Sequence, residues 1–440
     1  MRPYAEYVTT LRALVTDALS RVASPDDVRI VAALDGQPGR ELRRLVPLQT
    51  RRASGAFFTG SSLAKNLVAQ FLHSISLDTV ICDPACGAGD LLIAAADRLP
   101  IKPDLRTTLQ SWSNLIRGYD IHEHFVEATR LRLVLAAIAR GARTRGATPD
   151  ELTSLLRGIR ISDGLLGDFK DVGVVLMNPP YGGRPAPLGC SWGSGLVSDA
   201  AVFTEHLTRV IQPATKVVAV LPDVLRTGTR YRKWRREIEK RMKISTLKVV
   251  GIFDSWADVD VFAMHAETRA VHNEKALPVR WWDACAAKTT LAASFDVHVG
   301  AVVPHRDPDL GPWRKYLHAR TISHLEKFNV TEAPSRRFDR TTVRPPFVAI
   351  RRTSRPDDLQ RAVGTIIVGD ADVAVENHLI VASPHSRIVR DCEKLIRVLQ
   401  LQSTTEWLNE RIRCRHLTVG AVADIPWPEP NDATTSTIRD

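Results

Sequence analysis

Between about residues 75 and 270, short apolar runs alternate with stretches of helical character, and this alternation limits the fold more than any other feature. Five runs have the length and β-branched content of buried strands: residues 79–85, 115–121, 172–178, 216–222 and 246–253. Helical periodicity between them covers 89–99, 122–140, 199–212 and 228–243. Because strands that alternate with helices favour parallel sheets covered on both faces, the sequence predicts a doubly wound α/β fold with a Rossmann-like sheet.

The segments on either side of this region differ from it. Residues 4–48 have the periodicity of two helices, interrupted at 23–27 and 35–39. After about residue 270 short β-like runs lie among loops rich in Arg and Pro, and a helical run follows at 392–412. We therefore predict an N-terminal helical segment over 1–48, an α/β domain over 49–270 and a smaller mixed C-terminal domain over 271–440.

Composition excludes several classes of protein. The net charge of +11 favours a polyanionic partner. No apolar run reaches the length of a transmembrane helix and the N-terminus lacks the apolar core of a signal peptide, so we expect a cytoplasmic protein without a membrane partner. The six cysteines form no set at zinc-ligand spacing. We therefore expect no structural metal and no disulfides.

Acidic residues and glycines follow the ends of the predicted strands. Asp83 ends the first strand, and Gly87 and Gly89 in the next loop allow the backbone to approach a ligand at a helix N-terminus. Asp120 ends the second strand, where an acid can bond a ribose diol or cap the following helix. Asp163 could meet an adenine amino group or form an Asp-Gly turn. Because ligands bind at the carboxyl ends of parallel strands, these residues predict one ligand site.

The strand at 172–178 ends in Asn178-Pro179-Pro180-Tyr181, which a simple strand-to-turn transition does not explain. The Asn178 side-chain carbonyl and the Pro179 backbone carbonyl are both acceptors. Two acceptors aimed at one planar amino group would localise the nitrogen lone pair as it attacks, without a strong base. Tyr181 can stack on a planar ring. The tetrapeptide therefore predicts a site for an amino group on a ring.

These motifs resemble the adenine-specific DNA methyltransferases that use S-adenosyl-L-methionine, in particular restriction–modification enzymes whose recognition domain is C-terminal. The resemblance is carried by DPACGAG at 83–89, by NPPY at 178–181 and by GAFFTG at 55–60. One residue and one short stretch depart from the family pattern: Gly60 stands where proline is common, and Asp90-Leu91-Leu92 follows the acidic loop where Phe is common. The resemblance implies a methyltransferase catalytic domain over 49–270 and a DNA target-recognition domain over 271–440.

The resemblance also implies roles for individual residues. It assigns catalysis to Asn178, Pro179, Pro180 and Tyr181. It assigns cofactor binding to Phe58, Thr59, Asp83, Pro84, Ala85, Gly87, Gly89, Asp120, Ile121, Asp163, Gly164 and Phe203, with Asp120 on the ribose and Asp163 and Phe203 on the adenine. The flipped target base is expected to stack on Tyr181 and Phe253, with Trp256 or Phe262 as alternatives to Phe253.

Two basic clusters predict contact with double-stranded DNA. Residues 226–243 contain nine Lys or Arg and two Glu, and residues 327–361 contain nine Lys or Arg and four acids. The predicted contacts are Arg230, Arg232, Lys233 and Arg235 in the first cluster and Arg351, Arg352 and Arg355 in the second. A solvated helix face is the alternative for the first cluster, in which Tyr231 and Trp234 favour phosphate contact.

Other functions share the tetrapeptide. It also occurs in RNA adenine methyltransferases and in enzymes that methylate a glutamine amide of translation proteins, but those chains generally lack a large basic C-terminal region. A catalytically inert DNA-binding subunit is a further alternative, against which the intact motifs argue. We expect methylation of adenine N6 in DNA as part of a restriction–modification system or another phage-defence system. The sequence does not decide whether a separate endonuclease or another defence subunit is a protein partner.

Overall fold

The structure is a computed structural model of the 440-residue chain. It describes residues 1–20, 27–72, 76, 78–253, 259–272, 276, 278–282, 289–322 and 326–427. The chain divides into two compact units: Met1–Arg226 with Arg230–Val279, and Thr227–Thr229 with Arg280–Asp440. Each unit has its own sheets and its own buried core.

The first part of the chain alternates helices with strands, as the sequence predicts. Its helices are α1 (Ala5–Ser20), α2 (Val28–Leu34), α3 (Gln37–Leu45), α4 (Leu48–Ser54), α5 (Ser61–Leu72), α6 (Asp90–Ala96), α7 (Leu105–Leu115), α8 (Glu123–Ala139), α9 (Pro149–Leu155), α10 (Asp199–Val210), α11 (Asp223–Thr227) and α12 (Arg232–Arg241). Its strands are β1 (Val80–Asp83), β2 (Ile116–Asp120), β3 (Ile159–Ile161), β4 (Val172–Met177), β5 (Gly183–Pro185), β6 (Leu196–Ser198), β7 (Lys216–Pro222), β8 (Met242–Ile252) and β9 (Asp260–Thr268).

Seven of these strands form one sheet in the order β3-β2-β1-β4-β7-β9-β8. The five strands from β3 to β7 are parallel, which confirms the predicted α/β class. The strand β9 was not predicted, and it runs antiparallel to both β7 and β8. The chain between β8 and β9 is too short for a crossover helix, so the two strands pair as a hairpin.

Both faces of this sheet are covered. Successive residues of β4 and β7 point to opposite faces, and nearly all of them are buried, as expected where helices lie on both sides. The helices α1 and α2 share a hydrophobic core with α6, α7, α8 and α9. Where the sequence predicts two N-terminal helices, the described residues form four by Ser54, because Gly36 (φ +74°) and Pro47 separate the later ones.

The described part of the second unit contains smaller sheets and three α-helices. Its strands are β10 (Phe295–Val299), β11 (Trp313–Leu317), β12 (Lys327–Asn329), β13 (Ser335–Arg337), β14 (Phe347–Arg351), β15 (Gly364–Val368), β16 (Val373–Val375) and β17 (Leu379–Pro384). Its helices are α13 (Val389–Gln400), α14 (Gln402–Arg411) and α15 (Val419–Ala423), so the predicted helical run at 392–412 is two helices. One sheet has the order β10-β17-β14-β15-β12 and the other the order β13-β11-β16.

The central strand β14 explains how the second unit is layered. Val348 and Ile350 belong to the core formed with α13, α14 and α15. Phe347 and Ala349, which point the other way, belong to a second core formed with β11 and β16. The five-stranded sheet therefore lies between a helical layer and a smaller sheet.

Candidate functional site

An open cleft of about 850 Å³ lies where the strands β1, β2 and β4 end. Because these strands are parallel, their carboxyl ends bring residues that are distant in sequence to one edge of the sheet. The cleft contains thirteen of the predicted site residues: Phe58, Thr59, Asp83, Pro84, Ala85, Gly87, Asp120, Ile121, Asp163, Gly164, Asn178, Pro180 and Phe203. The remaining residues of the predicted catalytic and cofactor sets, Gly89, Pro179 and Tyr181, are each next in sequence to a residue that lines the cleft.

Two glycines allow the loops around the cleft to approach one another. Gly87 has φ +53°, and a Cβ built on it would lie 2.9 Å from the Phe58 ring. A Cβ on Gly164 would lie 1.6 Å from the Pro84 carbonyl oxygen. A larger residue at position 164 would therefore push apart the loops that follow β1 and β3, and one at position 87 would displace the Phe58 ring of the segment before α5.

Carboxylates are concentrated in the cleft. The pKa of Asp83 is raised to about 8, mainly by burial and also by the charges of Asp120 and Asp90, although the hydrogen bond accepted from the Ala85 N–H at 3.0 Å lowers it. Burial also raises the pKa of Asp120 to about 6, although backbone N–H groups lower it. A cationic ligand in this cleft would relieve the cost of keeping these groups ionised.

Asp120 and Asp163 organise the loops that they follow. Asp120 accepts hydrogen bonds from the N–H of Gly87 at 3.1 Å and of His122 at 2.8 Å, and His122 occupies the N-cap of α8. Asp163 accepts a bond from the Leu165 N–H at 2.9 Å and caps a short 3₁₀ turn. Asp120 is therefore not the N-cap residue, whereas the turn expected at Asp163 is present beside the cleft.

The Asn178 side chain has a fixed orientation. Its Nδ2 donates to the Phe57 carbonyl at 3.0 Å and to Thr59 Oγ1 at 3.1 Å. Because a backbone carbonyl can only accept, the amide nitrogen must face this loop. Among the described residues no donor reaches the buried Oδ1 of Asn178. The side chain, which lines the cleft, therefore carries a buried acceptor that no donor of the described residues uses.

Aromatic rings surround Tyr181. Its ring lies 6.3 Å from that of Phe57 in a stacked arrangement and 5.5 Å from that of Phe253 in an edge contact. Tyr181 also lines a second cleft with Pro222, Val224, Tyr231 and Val259, among other residues. Tyr181 is therefore close to the cofactor-side residues and to a separate open surface.

The structure describes only one of the two alternatives to Phe253. Phe262 is fully buried in β9, so its ring is not available to a ligand in this conformation. Trp256 lies outside the described residues. Phe253 remains the predicted partner of the target base.

Several cleft residues were missed by sequence reasoning: Phe57, Asp90, His122, Phe125 and Arg184. Phe57 lies inside the GAFFTG segment and Asp90 directly follows the glycine loop, so both had a positional signal. Arg184 had none beyond its position shortly after Tyr181. Its guanidinium pairs with Asp199 and lies 5.8 Å from the centre of the Phe203 ring.

The first basic cluster divides between surface and core. Arg230, Arg232 and Lys233 are exposed, and Arg230 also donates to the carbonyls of Ser194 and Leu196. Arg235 is only 6% exposed and donates to the Leu225 carbonyl at 2.9 Å, so DNA phosphate cannot reach it in this conformation. Trp234 is fully buried too, contrary to the expectation that it favours phosphate contact.

In the second unit, the predicted DNA contacts lie at and after the end of β14. Arg351 and Arg352 are half-buried, and Arg352 donates to the Asn377 carbonyl at 3.4 Å. Arg355 is exposed, and its backbone N–H bonds to Asp358.

None of the helices in the described parts of the chain combines the length and the apolar character that a membrane span requires.

Comparison with known proteins bears on the first unit most directly. Residues 46–247 match the family model of N-6 DNA methylases. A comparison with curated proteins gave no significant match.

Among solved structures, the type IIL restriction–modification enzyme MmeI in complex with DNA is similar, with a TM-score of 0.54 and 13% identity over 90% of this chain and 71% of that one. The type IIG restriction endonuclease BpuSI gives a TM-score of 0.45 and 16% identity over 90% of this chain and 61% of that one. The M protein of the type I restriction enzyme EcoKI gives a TM-score of 0.36 and 17% identity over 61% of this chain and 56% of that one.

The chain thus spans 61% of the length of BpuSI, and the likeness to MmeI shows a shared fold. The match to the family model covers the strands and loops that build the cleft, from GAFFTG through NPPY. Residues 46–247, slightly less than half of the chain, are therefore similar to N-6 DNA methylases.

Proposed function

We propose that this chain is an S-adenosyl-L-methionine-dependent methyltransferase that methylates the N6 amine of an adenine at a specific site in double-stranded DNA. The observation that carries the proposal is the Asn178 side chain, whose amide nitrogen is held by Phe57 and Thr59 and whose Oδ1 is buried without a donor. A buried acceptor without a donor is costly, so a ligand amino group would satisfy it.

The cleft suits the proposed cofactor. S-adenosyl-L-methionine supplies an electrophilic methyl group on a sulfonium. The carboxyl of Asp83, raised in pKa by burial, would be stabilised in its ionised form by a ligand cation, and Asp120 would meet the ribose. Asp163 and the Phe203 ring line the same cleft and suit an adenine. The close approach of the loops at Gly87 and Gly164 leaves backbone, rather than side chains, beside the ligand.

The residues after β4 would then align the target amine. A base inside a duplex cannot reach a cleft, so the adenine must be flipped out. Asn178 Oδ1 and the Pro179 carbonyl would accept hydrogen bonds from the two amino N–H groups and hold the nitrogen lone pair toward the methyl donor. Tyr181 and Phe253 would stack on the ring. Alignment and nearby dipoles supply the catalysis, without a strong base.

The partner would be double-stranded DNA, held by the exposed Arg230, Arg232 and Lys233 and by Arg351, Arg352 and Arg355. In this proposal the chain is the modification component of a restriction–modification system. A separate endonuclease, or a subunit of another defence system, would be its protein partner.

The test is the Asn178→Ala variant. Because it removes one of two acceptors and the alignment that they provide, methyl transfer should fall on the order of 10²-fold or more. Calorimetry should show little change in S-adenosylhomocysteine affinity, since Asn178 is assigned to the target amine. Thr59→Val is the comparison variant with the smaller change at this site. It removes one of the two acceptors that hold the Asn178 amide nitrogen and leaves Asn178 Oδ1 in place.

Long-read sequencing of DNA from cells that express the chain reports both the modified base and its context. N6-methyladenine at one recurrent sequence is the expected result. Methylation of RNA or of a glutamine amide instead, with none in DNA, would support the alternative acceptors. An Asn178→Ala variant that methylates DNA at the parent rate would contradict the assigned role of Asn178.

A further inference from the structure

Gly60, which stands where proline is common in the pattern that this chain resembles, is in direct contact with Asp90, the first residue of the Asp90-Leu91-Leu92 stretch. The Gly60 N–H donates to Asp90 Oδ2 at 2.8 Å. Gly60 has φ +76°, which the proline ring forbids, and proline has no N–H to donate. The glycine and the acid are therefore the two halves of one contact between the segment before α5 and the start of α6.

Asp90 also forms an ion pair with a buried arginine, Arg132. Asp90 Oδ1 lies 2.9 Å from Arg132 Nη1, an ion pair rather than a well-aligned hydrogen bond. Arg132 is fully buried in α8 and also donates to the carbonyl of Ala88. Its other bonds are to the carbonyls of Ala33, at 2.8 Å, and Leu34, at 3.4 Å, at the end of α2. The acid is thus fixed between the glycine loop and the N-terminal helices.

The segment that Asp90 holds is the same one that orients Asn178. Phe57 and Thr59, one to three residues before Gly60, accept the two bonds from the Asn178 amide nitrogen. The Phe58 ring between them packs against Gly87 and lies 5.0 Å from the Phe125 ring. A shift of the 57–60 segment would therefore move both a wall of the cofactor cleft and the group that aims Asn178 Oδ1.

We infer that Asp90 is a positioning residue for methyl transfer: through the Gly60 N–H it fixes residues 57–60, and through them it sets the orientation of Asn178 and the shape of the cofactor cleft. Arg132 holds Asp90 in place. This inference rests on the proposed function, because it assigns Asp90 a part in that reaction.

The test separates the bond to Gly60 from the ion pair. Asp90→Asn retains an oxygen that can accept from the Gly60 N–H, whereas Asp90→Leu does not, and both lose the charge that faces Arg132. Each is made alone and together with Arg132→Met, which removes the buried cation that either change would leave unpaired. The measurements are melting temperature, S-adenosylhomocysteine affinity by calorimetry, and the single-turnover rate of DNA methylation at saturating cofactor.

The matched control is the buried ion pair between Asp223 and Arg226. Arg226 Nε lies 2.7 Å from Asp223 Oδ1, and neither residue belongs to the 57–60 segment. Asp223→Asn and Asp223→Leu, each alone and with Arg226→Met, show how far loss of a buried ion pair alone affects cofactor affinity.

At Asp90, Leu should lower the melting temperature more than Asn, because it leaves the Gly60 N–H without an acceptor. Leu should also bind cofactor about 10-fold more weakly than Asn, the scale of one buried hydrogen bond. The Leu variant should also have the lower single-turnover rate. At Asp223, Asn and Leu should differ little in cofactor affinity.

Equal cofactor affinity and equal rate for Asn and Leu at position 90 would overturn the positioning role. Differences in affinity and rate that scale with the loss of melting temperature in the same way as at Asp223 would overturn it too. If the parent chain binds no S-adenosylhomocysteine, the proposed function itself is wrong and this inference falls with it.

Discussion

At the scale of single residues, the buried carboxyl of Asp83 couples stability to ligand binding. Burial raises its pKa to about 8 in the folded chain, against an ordinary value of 3.8. The folded state therefore binds more protons than the unfolded state between about pH 4 and pH 8, and stability falls as the pH rises through that window. The same ionised group is the one that a cationic ligand would need.

Asp83→Asn should thus stabilise the ligand-free protein at pH 8 and have little effect near pH 4, as measured by urea unfolding at both values. The same variant should bind S-adenosylmethionine more weakly at pH 8, because it lacks the charge that would face the sulfonium end. Unchanged stability at pH 8 would mean that Asp83 is ionised without cost in the free protein.

Asp120 combines two tasks at the end of β2. It holds the backbone of Gly87 and His122, and it lies in the cleft where a ribose is proposed. Asp120→Ala should weaken S-adenosylmethionine binding by about 1–3 kcal/mol, the usual scale for a charge-assisted hydrogen bond. DNA affinity should hardly change. Calorimetry that finds the parent affinity for cofactor would leave Asp120 with only its loop-organising role.

At the scale of elements, the helix α12 shows why a basic run cannot be interpreted from charge alone. Arg232, Lys233 and Arg236 are exposed, while Trp234, Arg235 and Ile238 are buried, so one stripe faces the core and another faces solvent. The sequence contains the helical spacing, but the burial of an arginine depends on the Leu225 carbonyl that it meets.

A double change of Arg232 and Lys233 to Ala should weaken DNA binding for all sequences and make its salt dependence shallower, without lowering the melting temperature. Arg235→Ala is the contrasting variant, because it should lower the melting temperature through loss of a buried hydrogen bond. Fluorescence anisotropy at several salt concentrations distinguishes them. A shallower salt dependence for Arg235→Ala at unchanged stability would reverse the assignment.

At the scale of the whole molecule, we predict that the first of the two compact units carries the chemistry and the second the choice of DNA sequence. A chain that ends at Val279 retains the sheet and the cleft residues and should bind S-adenosylhomocysteine with near-parent affinity. It should fail to methylate the parent site selectively, because base contacts specify a sequence and the family resemblance implies that residues 271–440 make them. Site-specific methylation at the parent rate by the shortened chain would refute this division.

The sequence by itself determined the α/β class and the edge of the sheet at which the polar motifs meet, because hydrophobic periodicity and the order of the strand ends are local properties. Asp83, Asp120, Asp163 and Asn178 could therefore be grouped from their positions at the strand ends alone. Local pattern did not give the antiparallel β9, because pairing depends on the length of a connection and on which neighbour a strand finds.

Only the tertiary structure decided which polar groups are paired. Asn178 Oδ1 is unused because Phe57 and Thr59 take the other end of the amide, and Asp90 meets Gly60 and Arg132 from other parts of the chain. Burial likewise separates Arg235 from Arg232. Hydrogen-bond satisfaction and burial depend on residues brought together from distant segments, so no window of sequence contains them.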